Sequence, residues 1–177
     1  VSKEEDCINM LNKAIETFGS IDCLVNNAGI AIDTTLEEKT VDNFKKILDI
    51  NLIGTFNMCK YFGLHMKNNQ GYGSIVNISS TNGIDSFYPY SMDYDASKAG
   101  VNMLTLNFSE VLNSKVIAYA PGWIATDSVK SMNPEFLREE LEKNEQEELL
   151  DPSLLVKCIL DDYKYQESGS IIPIKEV

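Results

Sequence analysis

The chain is poor in the residues that many catalytic and binding schemes require. It has one histidine in 177 residues, His65, in the run YFGLHMKNN with no partner at a metal-ligand spacing. A Ser-His-Asp hydrolase would have to be built around that imidazole, and its place near the end of a helical run gives no sign of one. Four cysteines, Cys7, Cys23, Cys59 and Cys158, include no Cys-x-x-Cys pair, and each stands in an apolar or helical run. They read as free thiols in a reducing compartment rather than as disulfides, and no metal site is expected. Basic residues are also short, 15 Lys and Arg against 27 Asp and Glu, for a formal charge of −12. That balance argues against nucleic acid or an anionic membrane as partner. No apolar run approaches the ~20 residues of a spanning helix, and no charged start leads into an apolar leader. A cytoplasmic protein is expected.

What is present is the composition of one globular domain, 44% hydrophobic and 24% charged. The length suits a single core. Ser2 and Glu5 have the spacing of a capping box, and Ile8, Leu11, Ile15 and Phe18 follow at helical period. The run IDCLVNN (21–27) reads as a buried strand, and residues 40–69 as one long helix, apolar over more than one face. GSIVNISS (73–80) is a second strand, 94–112 a helix and KVIAYAPG (115–122) a third strand. Asn133-Pro134 and Asp151-Pro152 each place an N-cap before a first-turn proline, and SGSIIPI (168–174) is a last strand.

Strands alternating with helices predict βαβ units, hence an α/β fold with a parallel sheet covered on both faces. Ligands of such sheets gather at the carboxyl ends of the strands. Three of the four strands end in unusual sequence there: NNAG, ISSTNG and APGWIATD. In DYDASKAG (93–100), Tyr94 and Lys98 stand four apart among small residues. That spacing is one helical turn, so phenol and ammonium share a face.

Together these motifs resemble those of the short-chain dehydrogenase/reductase family, with a 3-oxoacyl-reductase-like pattern. NNAG (26–29) follows its strand, and IVNISS (75–80) ends in Ser80, fourteen residues before Tyr94. YDASK (94–98) fits the family's Tyr-x-x-x-Lys, PGWIAT (121–126) its Pro-Gly-x-x-x-Thr, and DINLIGTF (49–56) the helix with its active-site Asn, here Asn51. The resemblance covers essentially the whole chain and implies a Rossmann-like three-layer doubly wound sheet in one NAD(P)-binding domain, residues 1–177. It implies hydride transfer between NAD or NADP and a small-molecule carbonyl or alcohol. The substrate stays open among a keto-acyl thioester, a sugar or polyol, and a small ketone.

Hydride transfer to a carbonyl leaves an alkoxide that needs a proton. Tyrosine ordinarily titrates near ~10, and a lysine one turn away, with an oxidised nicotinamide, would favour phenolate. Tyr94 would then be the acid or base, and Lys98 would tune it. Ser80 would donate to the substrate oxygen. Strand alternation puts the neighbouring Ser79 on the other face. By resemblance, Lys98 also holds the ribose hydroxyls and Asn51 holds a water. The resemblance further puts Asn27, Ala28 and Gly29 beside a ribose, and Pro121, Gly122, Ile124 and Thr126 at the carboxamide.

Phe87, Tyr88, Tyr90 and Trp123 are expected to line an apolar pocket. The acidic run 135–148 is expected to be a solvated helix face or a lid. The family's N-terminal glycine-rich strand–turn–helix is not in this sequence, so the chain is expected to carry only the later strands and helices of the domain. Its strand 21–27, central in the complete fold, would then be an exposed edge. The alternative is a catalytically silent relative that keeps the helices 40–69 and 94–112 as a dimerisation module. For an active enzyme those helices predict a homodimer or homotetramer.

Overall fold

The computed structural model of the chain describes residues 1–68 and 72–176. Four strands, β1 (Cys23–Asn26), β2 (Ser74–Ile78), β3 (Lys115–Pro121) and β4 (Ile171–Ile174), form one parallel sheet in the order β1-β2-β3-β4. Leu24 lies opposite Ile75 and Ile75 opposite Val116. Between β1 and β2 run α2 (Val41–Leu48) and α3 (Gly54–Asn68), and between β2 and β3 runs α4 (Met92–Val111). Between β3 and β4 lie α5 (Asp127–Lys130), α6 (Pro134–Lys143) and α7 (Pro152–Asp162), while α1 (Glu4–Phe18) precedes the sheet.

The layers follow from strand alternation. Ile75 and Val116 turn to one face, where Leu11 of α1, Cys59, Phe62 and Met66 of α3, and Phe108 and Leu112 near the end of α4 cover them. Val76, Ile117 and Tyr119 turn to the other, under Leu150 and under Leu155 and Ile159 of α7. Full burial of one such side chain contributes about 1.5–3 kcal/mol, so the two faces together anchor the domain. This is the expected three-layer α/β arrangement. Here β1 stands at an edge with Val25 52% exposed, as expected for this chain alone. Pro173 is tolerated in β4, the opposite edge strand.

Several boundaries differ from the sequence expectation. Lys3, not Ser2, is the N-cap of α1, and no side chain caps it. The helix expected over 40–69 divides at a π-helical turn, Asp49–Ile53, and its last position, 69, lies outside the described residues. The wider turn inserts an extra residue and carries Asn51 into the interior, as π turns at functional sites do. α4 starts two residues before Tyr94, fed by a 3₁₀ turn at Pro89–Ser91. Thr126 caps the unforeseen α5. The expected caps Asn133 and Asp151 hold, each accepting two backbone N–H bonds.

Candidate active site

Three strand ends converge on α4. At the end of β2, Ser79 and Ser80 part company. Ser79 is buried and its hydroxyl donates to Lys98 O at 3.2 Å. Ser80 lines a cavity of about 300 Å³ together with Tyr94 and accepts from Asn82 N at 3.2 Å. The turn Ser80–Gly83 lies directly on the α4 backbone: a Cβ on Gly83 would stand 2.7 Å from Lys98 C. Only glycine permits that approach.

Tyr94 and Lys98 share one face of α4, with the ammonium 5.4 Å from the centre of the phenol ring. Lys98 is 6% exposed and its Nζ donates to Ile78 O at 2.7 Å. It has no carboxylate partner among the described residues, and burial alone brings its pKa down from 10.5 to about 8. Tyr94 moves the other way. Burial raises its hydroxyl, Ser80 opposes this, and Asp95 and Asp33 add to the rise. The expected depression of Tyr94 by Lys98 is therefore not met by the protein alone, because desolvation outweighs the distant ammonium.

The site is held by side chains whose roles were not visible in the sequence. Asn51 accepts from Ile30 N at 2.8 Å and donates to Ile30 O at 2.9 Å and Ser97 Oγ at 3.1 Å. Both amide hydrogens thus tie the chain after NNAG to α4. Lys39 reaches Ile32 O at 2.7 Å and the Asp93 carboxylate at 3.0 and 3.1 Å. Asp95, inside the YDASK motif, accepts from Asn82 Nδ2 at 2.7 Å and Tyr88 N at 2.8 Å. Gln146 grips both sides of the Trp123 residue, accepting from its N–H and donating to its carbonyl, each at 2.8 Å. A Cβ on Gly122 would collide with the Gln146 side-chain oxygen. No spacing rule finds Gln146 or Lys39, because each meets its partner only in the folded chain.

Gln146 also corrects the reading of 135–148 as a solvated face. α6 ends at Lys143, and Glu140, Asn144 and Gln146 are buried. The chain then returns along the turn after β3, where Ala125 N bonds Leu150 O and Leu150 N bonds Trp123 O, both at 2.9 Å. Of the expected pocket aromatics, Tyr88 and Trp123 line the cavity. Tyr90 stacks on Tyr88 at 5.3 Å, and Phe136 of α6 joins at 5.6 Å from Tyr88. Phe87 is instead 61% exposed under the Lys143 ammonium. A second cavity, of about 450 Å³ beside Ala125, Asp151 and Lys175, has none of the expected catalytic residues in its wall.

The remaining expected positions lie at the ends of β1 and β3. Asn27, Ala28 and Gly29 are exposed beyond β1. A Cβ on Gly29 would stand 3.4 Å from Asn51 Oδ1 and 3.7 Å from Lys98 Nζ, so the glycine leaves open the space that those two polar groups face. Gly122, Ile124 and Thr126 line the cavity, and the buried Pro121 ends β3 behind them.

The sequence profile described as short chain dehydrogenase matches residues 1–136. The chain is 35% identical over 149 residues to glucose 1-dehydrogenase 2 of Bacillus subtilis strain 168, a match covering 81% of this chain. It spans 57% of that relative's length. Its structure resembles ElxO with NADP bound, at TM-score 0.76 and 30% identity, covering 98% of this chain and 73% of that one. It also resembles a 3-oxoacyl-[acyl-carrier protein] reductase from Brucella melitensis, at TM-score 0.81 and 27% identity, covering 94% and 66%.

Proposed function

Because the chain belongs to the short-chain dehydrogenase family, we propose that it is the catalytic part of an NAD(P)-dependent oxidoreductase acting on a small carbonyl or alcohol. The observation that carries this reading is the placement of Tyr94 and the buried Lys98 on one helical turn, with Ser80 and Tyr94 in the wall of one cavity. A solvated Tyr/Lys pair would need neither the burial nor the second hydroxyl.

Tyr94 is the proton donor or acceptor. Its raised pKa keeps it protonated at neutral pH, which suits delivery of a proton to a forming alkoxide. Ser80 donates to the same oxygen. Asn27, Ala28, Gly29 and Lys98 would hold the ribose. Pro121, Gly122, Ile124 and Thr126 would hold the nicotinamide carboxamide, with Thr126 free to donate because its oxygen only accepts, from Val129 N at 3.4 Å. The bound nucleotide supplies or takes up the hydride. A positive nicotinamide beside the phenol would bring its pKa back toward neutral for the oxidative direction. Asn51 is a positioning residue that fixes the loop after NNAG against α4.

The whole protein is proposed to extend the sheet past the bare outer edge of β1. It is also proposed to self-associate through α3 and α4, where Phe56, Leu106 and Val111 remain exposed while Phe62 and Val101 are buried inward.

In the full-length protein, Tyr94→Phe should lower turnover by ~10²–10⁴-fold with nucleotide affinity little changed. Ser80→Ala should mainly lower turnover, and Lys98→Ala should lose turnover and nucleotide binding together. Steady-state kinetics and calorimetry test this. A Tyr94→Phe protein with normal turnover would end the mechanism.

A further inference from the structure

The cavity in front of Tyr94 has a chemistry of its own. One wall is aromatic, with Tyr88 and Trp123 lining it and Phe136 packed against both rings at 5.6 and 6.3 Å. The rest carries uncharged polar groups, Asn82, Ser91 and Ser128, and a single ionisable acid, Asp33. Among the described residues no Lys, Arg or His lines it. Asp33 accepts no hydrogen bond from any of the described residues, whereas the other carboxylates of this end of α4, Asp93 and Asp95, are both fully engaged.

Asp33 is a solvent-exposed loop residue, but the backbone that carries it is fixed. The residues on each side of it are tied down. Ile32 O accepts the buried Lys39 ammonium at 2.7 Å, and Thr34 N donates to Tyr90 O at 3.0 Å. The charge of Asp33 is felt where the reaction would occur. It raises Tyr88 next after burial, and adds to the rise of Tyr94 as the smallest cause, after burial and Asp95.

A carboxylate in the wall of the cavity that holds the reacting hydroxyl is placed to act as a recognition group. It accepts from a substrate hydroxyl and repels a substrate anion. The flat rings opposite suit a ring with an apolar face. Resting on the oxidoreductase reading above, we propose that Asp33 selects an uncharged, ring-shaped secondary alcohol, or its ketone, that carries at least one further hydroxyl. Substrates with a carboxylate on the ring are rejected. The cavity of about 300 Å³ is shared with the nicotinamide at Gly122, Ile124 and Thr126, which leaves room for a small ring rather than an extended substrate.

The test uses the full-length protein with cyclohexanol, the three positional cyclohexanediols and 4-hydroxycyclohexanecarboxylate. In the oxidation each alcohol gives a hydride from carbon to the oxidised nicotinamide nucleotide and its hydroxyl proton to the protein, leaving a ketone. At least one diol should exceed cyclohexanol in kcat/KM by tenfold or more, and the carboxylate should be the poorest. Asp33→Asn should shrink the diol-to-cyclohexanol ratio by about tenfold, the order of one hydrogen bond to a charged group. Asp33→Lys should raise the carboxylate above the diols. Ligand-observed NMR of the same compounds should give the same ranking in binding.

Unchanged ratios in Asp33→Asn, or a wild type that neither binds nor oxidises any ring alcohol, would overturn the proposal. Tyr94→Phe on the same panel separates the two readings. If it turns over as wild type does while the Asp33 ratios shift, the catalytic assignment fails and the selectivity stands.

Discussion

Two lysines are buried at this end of the sheet, and they are buried in opposite ways. Lys39 and Asp93 expose 5% and 0% of their side chains, and the ammonium meets both carboxylate oxygens and Ile32 O. Lys98 is as deeply enclosed but meets only the neutral carbonyl of Ile78, and its pKa falls to about 8. The first charge is balanced within the fold, so it serves structure. The second is left with unspent donors and an unmet charge, so the fold carries a cost that a bound polar ligand can relieve. The difference tells a clamp from a binding group without reference to any relative.

The comparison breaks most visibly at Lys39. Lys39→Met leaves the Asp93 carboxylate buried without a cation and should destabilise the folded protein by about 3–5 kcal/mol. The double variant Lys39→Met/Asp93→Leu should recover much of this. Urea unfolding of the three proteins measures it, and a loss below about 1 kcal/mol for the single variant would mean that the pair is not the clamp described.

At Lys98 the sign reverses. The folded pKa, about 8, lies below the ordinary 10.5, so between these values the unfolded chain binds a proton that the folded chain does not. The Lys98 contribution to stability therefore rises with pH across that window, by about 3 kcal/mol in all. Cofactor-free Lys98→Met should accordingly be more stable than wild type at pH 7, by up to about 2 kcal/mol once the lost Ile78 bond is counted. The advantage should vanish by about pH 10. Tyr94, raised above its ordinary 10, works in the opposite sense only above that value and is common to both proteins. Thermal melts of the two proteins across this range decide it, and a constant difference would show that Lys98 is not desolvated.

The smallest effect sharpens the point that neutral clamps also exist. Gln146→Ala frees the Trp123 N–H and carbonyl, and water can take Gln146's place near the surface, so a loss of about 1 kcal/mol is expected. Trp123 is the chain's one tryptophan, so its fluorescence reports the loosened turn directly. An unshifted emission maximum would place the restraint elsewhere.

Much of the site was legible because its chemistry is local. Tyr94 and Lys98 are one helical turn apart, Thr126 ends a motif at a strand end, and Ser80 was preferred to Ser79, on the opposite strand face, by its fourteen-residue spacing to Tyr94. The same rule of periodicity misread 40–69 as one helix, since nothing in the apolar pattern marks the π turn at Asp49–Ile53, where Asn51 bonds Ile30, 21 residues away in sequence. It also misread 135–148, where an acidic run hides Gln146. Aromatic content gave the pocket its character but not its membership: Phe87 and Tyr90 fell outside the wall, and Phe136 of α6 backs the Tyr88 and Trp123 rings from behind.

The sequence by itself determined the layers, the strand ends and the residues that could do proton chemistry, because hydrophobic period and short motifs act over a few residues. The tertiary structure decided which charges are balanced. Lys39 and Asp93 are 54 residues apart, and Trp123 and Gln146 are 23 apart. Whether a buried ammonium finds a carboxylate or only a carbonyl depends on which segments the sheet brings together. Desolvation, which sets the pKa of Tyr94 and Lys98 in opposite directions, exists only once those segments have closed around them.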